Sequence, residues 1–361
     1  MKKMLSLAAM FAVIAYASPA SAEIKFSGDA SLRLRGQFTD SEVNGVEDGN
    51  SEDLNFAYRI RLKAAADLGE GYFFKAMLAS DNKTSNTNPF RAGGWVSLDN
   101  NLEDVNLDIS NFYFGRMMED SHYMMGRLPL NSMNNPIFDL AMYPQAPVDI
   151  PVATFYMDRL LGINYGAKIG SGELNATLVL LNEDSPAEDN GMLNDGYAAH
   201  LSYKVNLGDV TIEPQALLTL TDGDGPLGYM DITPQTFGMN VTIPAGDAKI
   251  GLSGFYTVCK DDDANGDDVD YNGYLLRLKG QYEGLTAWVD YNHTNDKTDG
   301  GDVDYDNLFV WAQYNYKVYE SAMGSFSLTP TVRYWALGSE VGSSETDYSR
   351  LRTELIATVS F

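Results

Sequence analysis

The 361 residues carry 50 acidic against 25 basic side chains, a formal net charge of −25, and that balance excludes nucleic acid as a partner. The single cysteine, Cys259, excludes an intramolecular disulfide. Beyond the first stretch no apolar run reaches the ~18 residues a membrane helix needs, and the mean hydropathy of −0.24 fits either a soluble exported chain or a barrel whose strands alternate between lipid and water.

In chain order, residues 1–22 read as a secretory signal, with Lys2 and Lys3 before the apolar run Leu5–Ala17 and the small residues Ala20-Ser21-Ala22 at the cleavage point. The expected mature protein is a single domain over 23–361. Its first strand sets Ile24, Phe26, Ala30, Leu32, Leu34 and Phe38 against Lys25, Ser27, Asp29, Ser31, Arg33, Arg35 and Gln37. The second sets Tyr58, Ile60, Leu62 and Ala64 against Arg59, Arg61 and Lys63. A period of two with one apolar face is the mark of a strand that separates two environments. The same grammar recurs at 158–169, 196–207 and 307–319. It ends in Leu351, Thr353, Leu355, Ala357, Val359 and Phe361 opposite Arg350, Arg352 and Glu354.

Short turns such as Gly69-Glu70-Gly71 and Gly208-Asp209 alternate with the long polar stretches Thr39–Leu54, Asn182–Asp195, Thr221–Asp231, Cys259–Asp270 and Asn295–Asp306. That asymmetry predicts an all-β, transmembrane antiparallel β-barrel of about sixteen strands, with short turns facing the periplasm and long loops outside. The predicted spans are 24–38, 55–68, 71–80, 105–117, 121–128, 158–169, 173–181, 196–207, 210–220, 235–243, 247–258, 272–282, 285–293, 307–319, 325–337 and 350–361. Many of the 22 Tyr and 16 Phe fall near strand ends, where a ring with a polar tip suits the membrane–water boundary.

A barrel of this size leaves an aqueous channel unless something fills it. The segment 128–157 lacks alternation, contains five prolines from Pro129 to Pro151, and carries Phe138, Leu140, Met142, Tyr143, Ile150 and Phe155. Those side chains need burial. The expectation is that the segment folds against the inner wall; a loop over the mouth or a subunit contact are the alternatives.

At this point the sequence resembles the general porins of Gram-negative outer membranes. The resemblance is carried by Asn111-Phe-Tyr-Phe-Gly-Arg116, then Met124-Met-Gly-Arg127, followed at once by 128–157, together with the terminal Phe361. It implies a passive, water-filled channel for small hydrophilic solutes and ions, a third outer loop folded inward, a homotrimer, and a place in the outer membrane among lipid and lipopolysaccharide.

Inward-facing positions of the first three strands and the last give Arg33, Arg35, Arg59, Arg61, Lys63, Lys75, Arg350 and Arg352, joined by Arg127 at the loop root. With neighbouring strands ~4.8 Å apart they form one basic patch. The loop would oppose it with Asp139, Asp149 and Asp158, setting a transverse field across the pore. The outer loops at 39–54, 182–195, 260–270 and 295–306 hold 22 of the 50 acids, so basic wall and acidic mouth pull in opposite directions. Weak, slightly anionic selectivity is expected.

Other chemistry is thin. Asp261-x-Asp263-x-Asn265-Gly266 opens like a calcium loop, but its twelfth position is Asn272 where a bidentate Glu belongs, so it reads as a solvated acidic loop. Of His122, His200 and His293, only His293 has acids nearby for a catalytic role, and no enzyme is expected. No metal or other cofactor is expected either. The alternative function is a substrate-specific channel for sugars or organic anions, in which the inward-facing Trp288, Phe309, Trp311 and Trp335 would stack on the solute.

Overall fold

The computed structural model describes residues 23–81, 95–98, 106–129, 135–139, 159–182, 196–221, 232–262 and 265–361. Its strands are β1 (Glu23–Val43), β2 (Val46–Gly69), β3 (Tyr72–Asp81), β4 (Asn106–Met117), β5 (Ser121–Pro129) and β6 (Arg159–Ile169). They continue as β7 (Gly172–Asn182), β8 (Gly196–Leu207), β9 (Val210–Thr221), β10 (Gln235–Ala245), β11 (Ala248–Asp262) and β12 (Asp268–Tyr282). The last four are β13 (Leu285–Asp296), β14 (Val303–Tyr314 resuming as Tyr316–Ser321), β15 (Gly324–Val341) and β16 (Ser344–Ser360). Both pieces of β14 pair with β15, so the barrel has sixteen strands.

Every strand pairs antiparallel with its chain neighbour, and β1 pairs with β2 on one side and β16 on the other. The ring therefore closes. Reciprocal backbone hydrogen bonds between Gly28 and Phe361, 2.9 and 3.0 Å long, complete the seam at the last residue. Closure gives each of the sixteen barrel strands a partner on both sides, which is what hydrocarbon demands of a sheet.

The two faces are inverted relative to a water-soluble fold. On β1, Phe26 and Leu32 are 59% and 60% exposed, while Ser31 and Arg33 between and beside them are 3% and 6% exposed. The same row continues around the outside through Phe56, Phe74, Phe112, Ile163, Leu178, Phe237, Leu276 and Leu355. An apolar band of this extent is a lipid contact, since soluble monomers rarely expose more than a few hundred Å² of contiguous apolar surface. Among the described residues no helix is long and apolar enough to cross a membrane; the strands do so.

The strand predictions hold in number and phase, but several strands run further than the alternation predicts. Thr39–Leu54, expected as a long loop, is a continued β1–β2 ladder closed by a two-residue turn. Asn44 and Gly45 take φ of 51° and 71° there, the left-handed pair that a tight hairpin favours. Beyond the membrane both faces of the ribbon meet water, so the residues stay paired without apolar alternation. Likewise β11 and β12 extend to Asp262 and from Asp268, and β13 and β14 flank a short 3₁₀ turn at Thr298–Gly300. Of the other two expected loops, 183–195 and 222–231 lie outside the described residues. A two-residue strand, Val96–Ser97, was not anticipated; it adds to β2 at Ala57 and Tyr58, above the end of β3.

Candidate functional site

Strand parity fixes what lines the lumen. The row of β1 opposite Leu32 holds Asp29, Ser31, Arg33, Arg35 and Gln37, and register carries that row around the wall. Arg59, Arg61 and Lys63 on β2 face Ser31, Asp29 and Ser27. Lys75 on β3 faces Ala65. On β16, Glu354 faces Arg35 and Arg352 faces Gln37. Eight of the nine basic residues expected on the wall therefore share one inner surface across adjacent strands. The basic row climbs diagonally, from Lys75 and Lys63 through Arg61, Arg59, Arg33 and Arg35 to Arg352 and Arg350.

Arg127 lies elsewhere. It is buried, its Nη1 donates to the Ile109 carbonyl at 2.7 Å, and its ladder partners are Phe112 and Leu161. What the Gly-Arg motifs supply locally is close packing of two strands. A side chain at Gly126 would meet the Phe112 carbonyl at 2.4 Å, and one at Gly115 would meet the Tyr123 carbonyl at 2.0 Å.

The same inner surface carries further charged residues, among them Arg333, Glu354 and Asp29. Arg333 on β15 stands directly opposite Arg352, and parity with Trp335 could have found it. Glu354 has a side chain 0% exposed, beneath three guanidiniums: Arg35 Nε at 2.5 Å, Arg333 Nη2 at 2.8 Å and Arg33 Nε at 3.9 Å. Asp29 accepts from Arg61 Nε at 2.8 Å, with Lys63 Nζ 3.9 Å away. Arg352 Nε donates to Gln37 at 2.7 Å. Each carboxylate holds long cationic side chains in fixed positions, and charged groups removed from bulk water act more strongly on what passes.

All four tryptophans of the chain sit beside cations on this inner surface. Arg333 lies 3.7 Å from the Trp311 ring centroid and Arg350 4.7 Å from that of Trp335. Arg33 and Arg59 approach Trp95 at 4.4 and 4.8 Å, and Arg277 and Lys279 approach Trp288 at 5.5 Å each. Trp288 also stacks on Trp311, with centroids 4.8 Å apart and planes 12° from parallel. Trp288, Phe309, Trp311 and Trp335 are all buried, so these rings serve as platforms for cations and for each other. A sugar would need an open ring face, and theirs are covered.

Of the segment 128–157, the described part beyond β5 is Asn135 and one helical turn, Pro136–Asp139. Asn135 donates to Gln215 at 2.7 Å and accepts from Gln215 and Asn240 at 3.2 and 3.1 Å. Gln215 and Asn240 belong to the inner rows of β9 and β10, several strands from the segment's root on β5. Ile137 is 0% exposed. Asp139 ends the helical turn; its side chain, with Asp149 and Asp158, lies outside the described residues.

The histidines have polar neighbours of an ordinary kind. His122 contacts Asn164 at 3.0 Å, His200 contacts Gln215 at 2.8 Å, and His293 contacts Asp306 at 3.1 Å on the outer side of the barrel. Cys259 is buried against Ile232, Val269 and Tyr271. Among the described residues no cluster of three or more His, Cys, Asp or Glu is arranged to hold a metal; Asp263 of the calcium-like stretch is not among them.

Comparison with known proteins agrees with this architecture. A sequence profile describing Gram-negative porins matches residues 7–317. No curated protein matches the sequence. Among solved structures, the outer-membrane expressed OmpT of Vibrio cholerae is similar at 12% identity and a TM-score of 0.56, covering 94% of this chain and 97% of that one. The outer membrane channel DcaP of Acinetobacter baumannii gives 13% and 0.56 over 95% of this chain and 99% of that one. An anion-selective porin from Comamonas acidovorans gives 12% and 0.54 over 92% and 100%. At such identities these three speak to the fold.

Proposed function

This chain belongs to the Gram-negative porin family and forms an outer-membrane channel for diffusion; from that premise we propose that it passes small hydrophilic solutes and ions along a basic wall with a weak preference for anions. The observation that carries the preference is the unbroken diagonal of guanidinium and ammonium groups from Lys75 to Arg350 on the inner rows of β3, β2, β1 and β16. Such a column lowers the energy of an anion along its whole path and raises that of a cation. The acids of the outer mouth work the other way and keep the preference small.

We further propose that 128–157 narrows the lumen, with Asp139, Asp149 and Asp158 opposing the basic wall. The bonds of Asn135 to Gln215 and Asn240 support an inward course. Residues 1–22 are read as a cleaved signal, and the assembly as a homotrimer within lipid and lipopolysaccharide; one similar structure, OmpT of Vibrio cholerae, is described in a trimer form. We read the barrel as a channel without catalytic activity, the histidines being held by amides and carboxylates.

The test is a planar-bilayer recording of the purified mature protein. Stable single-channel steps are expected, with a reversal potential slightly on the anion side under a salt gradient. Electrically silent protein would overturn the pore, and a cation-side potential would overturn the role given to the wall.

A further inference from the structure

Within the basic wall one acid is unlike the rest of the lumen's acids. Glu354 comes from the last strand, and its carboxylate is withdrawn from solvent beneath three arginines of the two flanking strands, β1 and β15. Two of them make close contacts, one to each oxygen: Arg35 Nε to Oε1 and Arg333 Nη2 to Oε2. A third, Arg33, stands 3.9 Å from Oε1, and Arg352 lies two residues before Glu354 on the same inner row. The acid is short and the arginines are long, so the carboxylate occupies the base of the cluster and the guanidiniums cover it.

This arrangement has two consequences for an ion in the lumen. The carboxylate cancels one positive charge at the point where the basic diagonal is densest. It also fixes where two of the remaining charges stand, since a guanidinium held by a carboxylate on one edge and, for Arg333, by the Trp311 ring on its face has little freedom left. We propose that Glu354 is a specificity-determining residue of this channel: an internal counter-charge that positions Arg35 and Arg333 and holds the anion preference down. The inference rests on the basic-wall reading above and adds to it the residue that sets its strength.

A charge within several ångströms of a passing ion changes the local concentrations of anions and cations in opposite senses. Glu354→Gln keeps the shape and removes the charge, so the anion-to-cation permeability ratio at low salt should rise by about threefold. Arg333→Gln should lower the ratio. Reversal potentials under a tenfold KCl gradient read both, and a merely structural role would not move them in opposite directions. Because Glu354→Gln leaves arginines packed without their counter-charge and can fail to fold, Arg333→Gln/Glu354→Gln is measured beside Arg333→Gln alone, each first checked for heat-modifiable migration of a closed barrel. The double variant is expected to be more anion-selective than the single one. Equal ratios for that pair, or for Glu354→Gln and the unmodified protein, overturn the proposal while leaving the basic wall standing, provided that Arg333→Gln and Arg352→Gln shift the potential. If neither arginine variant shifts it, the basic-wall reading itself fails and takes this inference with it.

Discussion

Arg277 and Asp290 face each other across β12 and β13 through two parallel hydrogen bonds, Nε to Oδ1 at 2.6 Å and Nη2 to Oδ2 at 2.8 Å, with both side chains 2% exposed. Removing one partner of such a pair leaves an unbalanced buried charge, which costs about 3–5 kcal/mol. Asp290→Asn is therefore expected to lower the urea midpoint of the detergent-refolded barrel markedly, followed by tryptophan fluorescence. Replacing both residues by apolar ones of similar size, Arg277→Met with Asp290→Leu, should recover most of the loss. A midpoint for the Asp290→Asn variant equal to that of the unmodified protein would mean the pair is not what holds this part of the wall.

The bonds of Asn135 to Gln215 and Asn240 tie the start of the helical turn Pro136–Asp139, in the segment proposed to narrow the lumen, to the inner rows of β9 and β10. Asn135→Ala removes that tether without touching a strand. The single-channel conductance is expected to rise, with more open-channel noise. A conductance equal to that of the unmodified protein would place the segment outside the ion path.

Gly126 takes a φ of 126°, and a Cβ there would lie 2.4 Å from the Phe112 carbonyl. Both facts oppose any side chain. Gly126→Val is expected to destabilise the β4–β5 hairpin by roughly 1–3 kcal/mol, read as a lower yield of closed barrel on refolding. A yield matching that of the parent would show that the strands can part at no cost.

Wall charges act on ions through salt-dependent fields, with a screening length of ~10 Å at 0.1 M and ~3 Å at 1 M. The anion preference should accordingly fade as ionic strength rises, the reversal potential for a fixed ratio of salt moving toward zero. Selectivity that is indifferent to salt would point to a steric origin.

Alternation made most of this molecule readable. Arg33 and Leu32 could be assigned to opposite faces from the sequence because a strand has no choice: once Leu32 meets lipid, its neighbour must meet the lumen. The same rule brought Arg350 and Arg352 to the side that holds Arg33 and Arg35, since a barrel joins its first strand to its last. It failed above the membrane. At Val46–Leu54 water lies on both sides, so the ladder persists with no pattern to announce it, although Asn44-Gly45 was a turn signal in plain view. It was also blind to Trp95, which reaches Arg33 and Arg59 from a connecting stretch with no period.

A two-residue repeat, joined to the requirement to satisfy every backbone amide in hydrocarbon, was enough to set the number of strands and their phase. The partners came from the folded chain alone: that Glu354 sits under Arg35 and Arg333, that the tryptophans carry cations in place of offering bare faces, and that Arg127 turns to the Ile109 carbonyl. Pairing depends on register between strands far apart in the chain, and a repeat of two says which way a side chain points but not what it meets.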